Sequence, residues 1–149
     1  DVITEALHHI NRKSEEHHIS VESKEEFLLA KMDAKLIVQV IINIVDNAIK
    51  YTPKNSHIVI RTEKRGKQAI VSISDDGNGI ADEIKPRIFD MFYSGANRIA
   101  DSRRSLGLGL SLCKSIINAH GGELTVSDNL PHGTVFTFTL PAGEVKVYE

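Results

Sequence analysis

Only one cysteine, Cys113, stands among the 149 residues, so no disulfide framework can staple the chain, and a reducing, cytosolic setting fits. No uncharged apolar run approaches the roughly 18 residues that a membrane-spanning helix needs. The N-terminal stretch DVITEALHHINRK lacks the hydrophobic block of a signal peptide. No Met precedes Asp1, which leads us to expect a piece of a longer protein. Repeats, low-complexity tracts and internal linkers are absent too. The charges also lack bias: 18 Lys and Arg against 20 Asp and Glu give a net charge of −2, which argues against general nucleic-acid binding. What remains is one domain, residues 1–149, with 41% hydrophobic and 26% charged residues. That is ordinary for a globular protein and enough for a real core.

The apolar spacing predicts a helix over 2–17 and β-like stretches at 19–22 and 27–31. A second helix is expected over 34–50, with Asp33 as its N-cap and Pro53 beyond its end. Strands at 57–64 and 68–74 are joined by an Arg65-Gly66 turn, and a short helix should cover 82–90, with Asp82 and Glu83 in its first turn. Residues 94–106 carry no periodicity and read as a mobile loop. A helix over 108–119 should end at Gly121-Gly122, a pair suited to a left-handed cap. Strands at 123–128 and 134–140 flank the turn NLPHG. This order predicts a two-layer α+β sandwich, a mostly antiparallel mixed sheet covered on one face by helices.

Three features carry possible chemistry. On the 34–50 helix, at about 100° per residue, Gln39, Asn43, Asp46, Asn47 and Lys50 form one narrow polar stripe. Ile37, Ile41, Ile44, Val45, Ala48 and Ile49 take the opposite side, so the helix is mostly buried. The stripe must face a ligand or an internal polar network, because unpartnered buried polar groups cost about 1–3 kcal/mol each. An amide oxygen suits Mg²⁺ already neutralised by phosphates, and a lysine places a point charge near the same anions. Next, SISDDGNGI (72–80) sets Asp75, Gly77 and Gly79 at a strand end. A carboxylate there accepts from an adenine amino group and rejects guanine, which presents an acceptor, although a plain Asp-Gly turn has the same look. Finally, Gly107 and Gly109 open a helix after Arg98, Arg103 and Arg104, as suits phosphates. Those arginines either sit in solvent or close over the anion. A dinucleotide fingerprint fails, since Leu112 stands where its third glycine belongs, and the adjacent pairs His8-His9 and His17-His18 point to different sides of a helix and cannot chelate jointly. His120 reads as a helix-terminal residue.

In this order, NIVDNAIKYT (43–52), DDGNGI (75–80), IFDMF (88–92), GLGL (107–110) and HGG…GTVFTFTLP (120–141) resemble the boxes of the ATP-binding domain of sensor histidine kinases. These belong to the ATPase superfamily shared with Hsp90-type chaperones, type II topoisomerases and MutL-type repair proteins. The resemblance covers essentially the whole chain. Residues 90–122 further resemble the potassium-responsive sensor kinases of the KdpD type. It implies that Asn47 coordinates Mg²⁺ with Asn43 beside it, and that Asn47 and Lys50 serve catalysis. ATP would also meet Tyr51 near ribose and base, Asp75 at the adenine amino group, and Gly77, Gly79 and Ile80 along the base pocket. Residues 94–106, with Arg98, would be a lid, while Gly107, Leu108, Gly109 and Leu110 contact phosphates and Thr134 sits beside adenine. Two departures stand out: Ser105 where the family's GxGLGL box usually has glycine, and Ser94 where many members carry arginine. No His followed by an acidic-Leu-x-x-Pro pattern is present. The implied role is therefore half of a kinase, passing phosphate to a histidine on a separate dimerisation domain and, through it, to a response regulator. The expected domain is cytoplasmic and monomeric, without nucleic-acid or membrane contact, and its parent is membrane-anchored. A nucleotide-dependent binding module and a serine kinase of the anti-sigma-factor type are the alternatives.

Overall fold

A computed structural model of the chain describes residues 2–10, 18–23, 31–50, 52–90 and 109–141. Its elements in chain order are α1 (Val2–Ile10), β1 (His18–Ser23), α2 (Lys31–Lys50), β2 (His57–Arg65), β3 (Gln68–Asp75), α3 (Gly109–Ala119), β4 (Glu123–Asp128) and β5 (Thr134–Pro141). The strands form one sheet in the order β1-β2-β3-β5-β4. β1 runs parallel to β2, and every other pairing is antiparallel.

Period-2 alternation decides which side of the sheet is apolar. Ile60, Ile73, Phe136 and Val126 pair across four strands as one row. Thr62, Val71, Phe138 and Leu124 form the next. The helices cover this face: Ile37, Ile41, Ile44 and Val45 of α2, Cys113 and Ile117 of α3, and Ile3 and Ala6 of α1 join the strand residues in a single core. The expected helix-covered mixed sheet is thus the observed architecture. One row further toward the strand ends, Ile58, Asp75, Thr134 and Asp128 stand in register. Asp75 therefore occupies the core-facing slot that Ala69, Val71 and Ile73 occupy along the same strand.

Local chemistry sets the element ends. After α3, Gly121 has φ +80°. The Gly122 N–H donates to the Ile117 carbonyl at 3.0 Å and Gly121 N–H to that of Asn118 at 3.0 Å, the paired bonds of a Schellman cap. Gly122 also lies so close to β5 that a Cβ would stand 1.8 Å from the Thr139 carbonyl oxygen. His120 is at this helix end, its Nδ1 2.7 Å from the Ile116 carbonyl oxygen. At the end of α2, the Thr52 hydroxyl donates to the Ala48 carbonyl at 2.7 Å, satisfying one of the carbonyls that a helix leaves unpaired. Gly66, with φ +57°, makes the turn between β2 and β3.

Three expectations need correction. α2 starts at Lys31, so Asp33 lies inside the first turn and does not cap it; Lys31 and Met32 are good helix formers and extend the helix backward. Lys31, expected at the end of a strand over 27–31, is the first residue of α2, and 24–30 lie outside the described residues. The short helix over 82–90 reduces to a 3-10 turn, Lys85–Arg87. Pro86 has no N–H to donate to residue 82, so an α-helical ladder cannot pass through it. Residues 11–17 and the 94–106 loop also lie outside the described residues.

Cys113 is fully buried, its thiol facing the Val40 carbonyl oxygen at 3.7 Å. Burial pushes its pKa up to about 12, with the Asn43 side chain pulling weakly the other way. The thiolate is the reactive form, so Cys113 should stay unlabelled by an aromatic disulfide reagent at pH 8 and react only as the chain unfolds in denaturant. Fast labelling of the native protein would contradict its place in the core.

Candidate functional site

A pocket of about 240 Å³ opens at the sheet end where Asp75 faces inward. That is slightly below the roughly 300 Å³ at which ligand sites begin, a size suited to one heterocycle with the rest of a ligand outside. Four segments build it. Asn47 and Ala48 come from the end of α2, with Thr52 just beyond it; Asp75 ends β3, and Asn78, Gly79, Ile80 and Ala81 come from the loop after it; Ile84 and Ile88 flank the 3-10 turn; Thr134 and Phe136 come from β5. Phe89, beside Ile88, packs edge-on against Phe136 with ring centroids 6.1 Å apart, and the Lys114 ammonium sits 5.0 Å over its ring. The result is apolar walls with a polar edge.

Asp75 dominates that edge. It is 7% exposed, and its carboxylate accepts the Gly77 N–H at 2.9 Å. Burial raises its pKa above the ordinary carboxylate value; the Gly77 and Thr134 backbone N–H groups pull it down, and the neighbouring Asp76 carboxylate pushes it up. Two backbone donors leave capacity unused, since a carboxylate offers about four acceptor positions. The remaining capacity is available to a donor in the pocket.

The glycines follow from this geometry. A Cβ on Gly77 would stand 2.6 Å from the Thr52 methyl and 3.2 Å from a carboxylate oxygen of Asp75. Gly79 has φ +83°, a left-handed conformation that side chains disfavour. The wall is also braced from outside: Lys85 donates to the Ile80 carbonyl at 2.9 Å and reaches Asp128 at 2.9 Å and Asp82 at 2.5 Å. Asp76 faces the other way, taking the His57 N–H at 2.8 Å and lying 3.2 Å from its ring.

Of the expected site residues, Asn47, Asp75, Gly79, Ile80 and Thr134 line the pocket together. Gly77 packs directly behind Asp75. Asn43, one turn before Asn47, is not among the lining residues; its amide oxygen accepts from Gln39 Nε2 at 3.0 Å and its side chain also meets the Cys113 thiol. Lys50 ends α2, half-buried, and Gly109 and Leu110 open α3. Tyr51, Arg98, Gly107 and Leu108 lie outside the described residues. Ala48, Thr52, Asn78, Ala81, Ile84, Ile88 and Phe136 were not anticipated. Phe136 was within reach through the alternation of β5, and Ile84 and Ile88 through their spacing.

Residues 32–144 match the family described as histidine kinase-, DNA gyrase B-, and HSP90-like ATPase. The sensor protein KdpD of Clostridium acetobutylicum is 41% identical over 141 residues, 95% of this chain and 16% of that protein. The catalytic domain of histidine kinase ThkA superposes with a TM-score of 0.82 at 32% identity, covering 95% of this chain and 91% of that one. ThkA in complex with the response regulator TrrA superposes with a TM-score of 0.77 at 32% identity, covering 95% of this chain and 39% of that one. The chain belongs to this ATPase family, in its sensor histidine kinase branch. It spans about a sixth of the length of the KdpD relative.

Because the folded-state pKa of Asp75 is raised, its contribution to stability is complete below the unfolded carboxylate value and is lost as pH rises through the folded one. Asp75→Asn imitates the protonated form at every pH. The variant should therefore melt no lower than the parent at pH 7, with any advantage shrinking as pH falls toward 4. A clear drop in melting temperature at pH 7 would mean that the charge stabilises the fold.

Proposed function

We propose that the chain binds Mg·ATP and presents the γ-phosphate to a histidine on the dimerisation domain of its parent sensor kinase. The observation that carries this reading is the buried carboxylate of Asp75, aimed into a heterocycle-sized pocket that Asn47 also lines. Asp75 would accept from the adenine amino group, with Gly77, Gly79 and Ile80 along the base and Thr134 beside it. Asn47 fits Mg²⁺ because its amide oxygen is a neutral hard ligand at the pocket wall, with Asn43 a turn away. The ion, when bound, neutralises phosphate charge. Lys50, at the same helix end, would face the phosphates, and Tyr51, Arg98 and Gly107 to Leu110 would complete the grip.

In the transfer, an imidazole nitrogen of the partner histidine forms a bond to the γ-phosphorus while the bond to the bridging β-phosphate oxygen breaks, releasing ADP. Such chemistry needs positioning and charge neutralisation more than a covalent group from the enzyme. Asp75 supplies the first at the base, and Asn47 and Lys50 belong to the second. Phosphate would then pass to a response regulator, a partner class that the ThkA complex with TrrA supports. The likeness to KdpD supports a potassium-responsive, membrane-anchored parent. No helix among the described residues is long and apolar enough to cross a membrane.

Mixing the chain with Mg·[γ-³²P]ATP and the parent's dimerisation domain should label a histidine, giving a phosphate lost in acid and kept in base. Acid-stable label would point to a hydroxyl acceptor and a serine kinase. Nucleotide binding without any label would leave only a nucleotide-dependent binding module.

Selectivity gives a second expectation. ATP should bind at least about tenfold tighter than GTP, roughly 1.4 kcal/mol, in titration calorimetry. Equal affinities would remove Asp75 from its role. Asn47→Ala should abolish the Mg²⁺-dependent part of ATP affinity while circular dichroism stays unchanged. An unaltered Mg²⁺ dependence would return Asn47 to a structural amide.

A further inference from the structure

The β4–β5 turn, residues 129–133, touches the Asp75 loop from the side away from the pocket, and it does so through main-chain carbonyls. Asn129 Nδ2 donates to the Asp75 carbonyl at 2.7 Å. His132 Nδ1 lies 3.0 Å from the Gly77 carbonyl oxygen. A carbonyl can only accept, so Nδ1 carries the proton in this contact. The two bonds thus hold the carbonyls on either side of Asp76. Between them Gly133, at φ +124°, approaches so closely that a Cβ would stand 1.9 Å from the Asp75 carbonyl oxygen. The turn closes independently, with Asn129 N–H donating to the Gly133 carbonyl at 3.0 Å.

We propose that Asn129 and His132 are positioning residues that set the base specificity of the pocket. This rests on the reading of Asp75 as the adenine acceptor. Telling an amino group from a carbonyl oxygen depends on where the Asp75 carboxylate points, and hydrogen bonds weaken steeply once misaligned. The carboxylate is fixed by its own backbone and by the Gly77 and Thr134 N–H groups. The Asp75 and Gly77 carbonyls are the groups that the turn grips. Displacing either residue moves the carboxylate on Asp75 or the N–H on Gly77 that it accepts, while the β4–β5 ladder, paired from Glu123 to Asp128, need not change.

The test compares ATP and GTP binding to this chain by calorimetry, with melting temperatures recorded in parallel, in the parent and four variants. Asn129→Asp keeps the shape but sets a carboxylate oxygen against the Asp75 carbonyl. His132→Asn keeps an N–H donor three bonds from Cα, where Nδ1 sits, and His132→Gln moves the donor one bond further out. Asp75→Asn reports on the underlying reading. Asn129→Asp should lower ATP affinity and the ATP-to-GTP ratio by about tenfold or more. His132→Gln should lower the ratio by roughly threefold or more, and His132→Asn should restore it to within about twofold of the parent. If Asp75→Asn collapses the ratio while Asn129→Asp and His132→Gln leave it intact, the positioning role is wrong and the Asp75 reading stands. A change in melting temperature alone, with the ratio kept, overturns the proposal equally, and should Asn129→Asp not fold, the two His132 variants decide. If Asp75→Asn leaves the ratio unchanged, the Asp75 reading fails and the proposal falls with it.

Discussion

A carboxylate in a core-facing strand position is the constraint around which this end of the molecule is arranged. β3 alternates Ala69, Val71, Ile73 and then Asp75 on one face, so the acid enters the row where an apolar residue would otherwise pack. Leaving such a group unsatisfied costs more than the 1–3 kcal/mol typical of a neutral polar atom. The fold answers with backbone donors. Gly77 N–H reaches the carboxylate because the chain turns back sharply after Asp76, and the Thr134 N–H comes from the paired strand. The glycines follow from the close packing around it. Gly77 has no room for a Cβ against Thr52, and Gly133 has none against the Asp75 carbonyl. The raised pKa of Asp75 shows that these donors do not cancel the desolvation. A buried acceptor with remaining cost is well placed to gain from a ligand that donates to it.

α2 links that site to the core. Ile37, Ile41, Ile44, Val45 and Ala48 are buried, and burying side chains of this kind contributes about 1.5–3 kcal/mol each for the larger ones. The same rigid element carries Asn47 to the pocket wall. The polar stripe that includes it is not one site but several. Gln39 and Asn43 bond each other, Asn43 meets Cys113, and Asn47 lines the pocket. A pocket-lining amide and a structural amide thus share one helix face a single turn apart.

What was legible from residues alone is what local periodicity determines. Strand alternation placed β2, β3 and β5 within a residue or so, and the Gly121-Gly122 pair announced its cap. Asp75 was legible because an acid followed by spaced glycines breaks an apolar strand. The braces of the site were not. Asn129 and His132 act across 54 and 55 residues, and Lys85 too meets Asp128 from far along the chain. Nothing in NLPHG marks it as more than a turn until β4 and β5 bring it behind the loop. The expected helix over 82–90 failed on a local rule outweighed by apolar spacing: Pro86 interrupts the ladder. The spacing of Ile84 and Ile88 was real, but a 3-10 turn delivers both to the pocket.

The two ends of the site differ in construction, and this bears on how phosphate can be passed to another domain. The end proposed for the base is set in the sheet, held by β3, β5 and the turn between β4 and β5, all paired or cross-braced. The end assigned to the phosphates is assembled from helix termini, the last turn of α2 and the first of α3. Binding energy gathered at a rigid base site, remote from the reacting phosphorus, can be used to hold the γ-phosphate in line without surrounding it. A transfer to a histidine on another domain requires that the phosphorus remain approachable from outside. Anchoring the nucleotide by its base, deep against Asp75 as proposed, would meet that requirement in a way that a grip centred on the γ-phosphate would not.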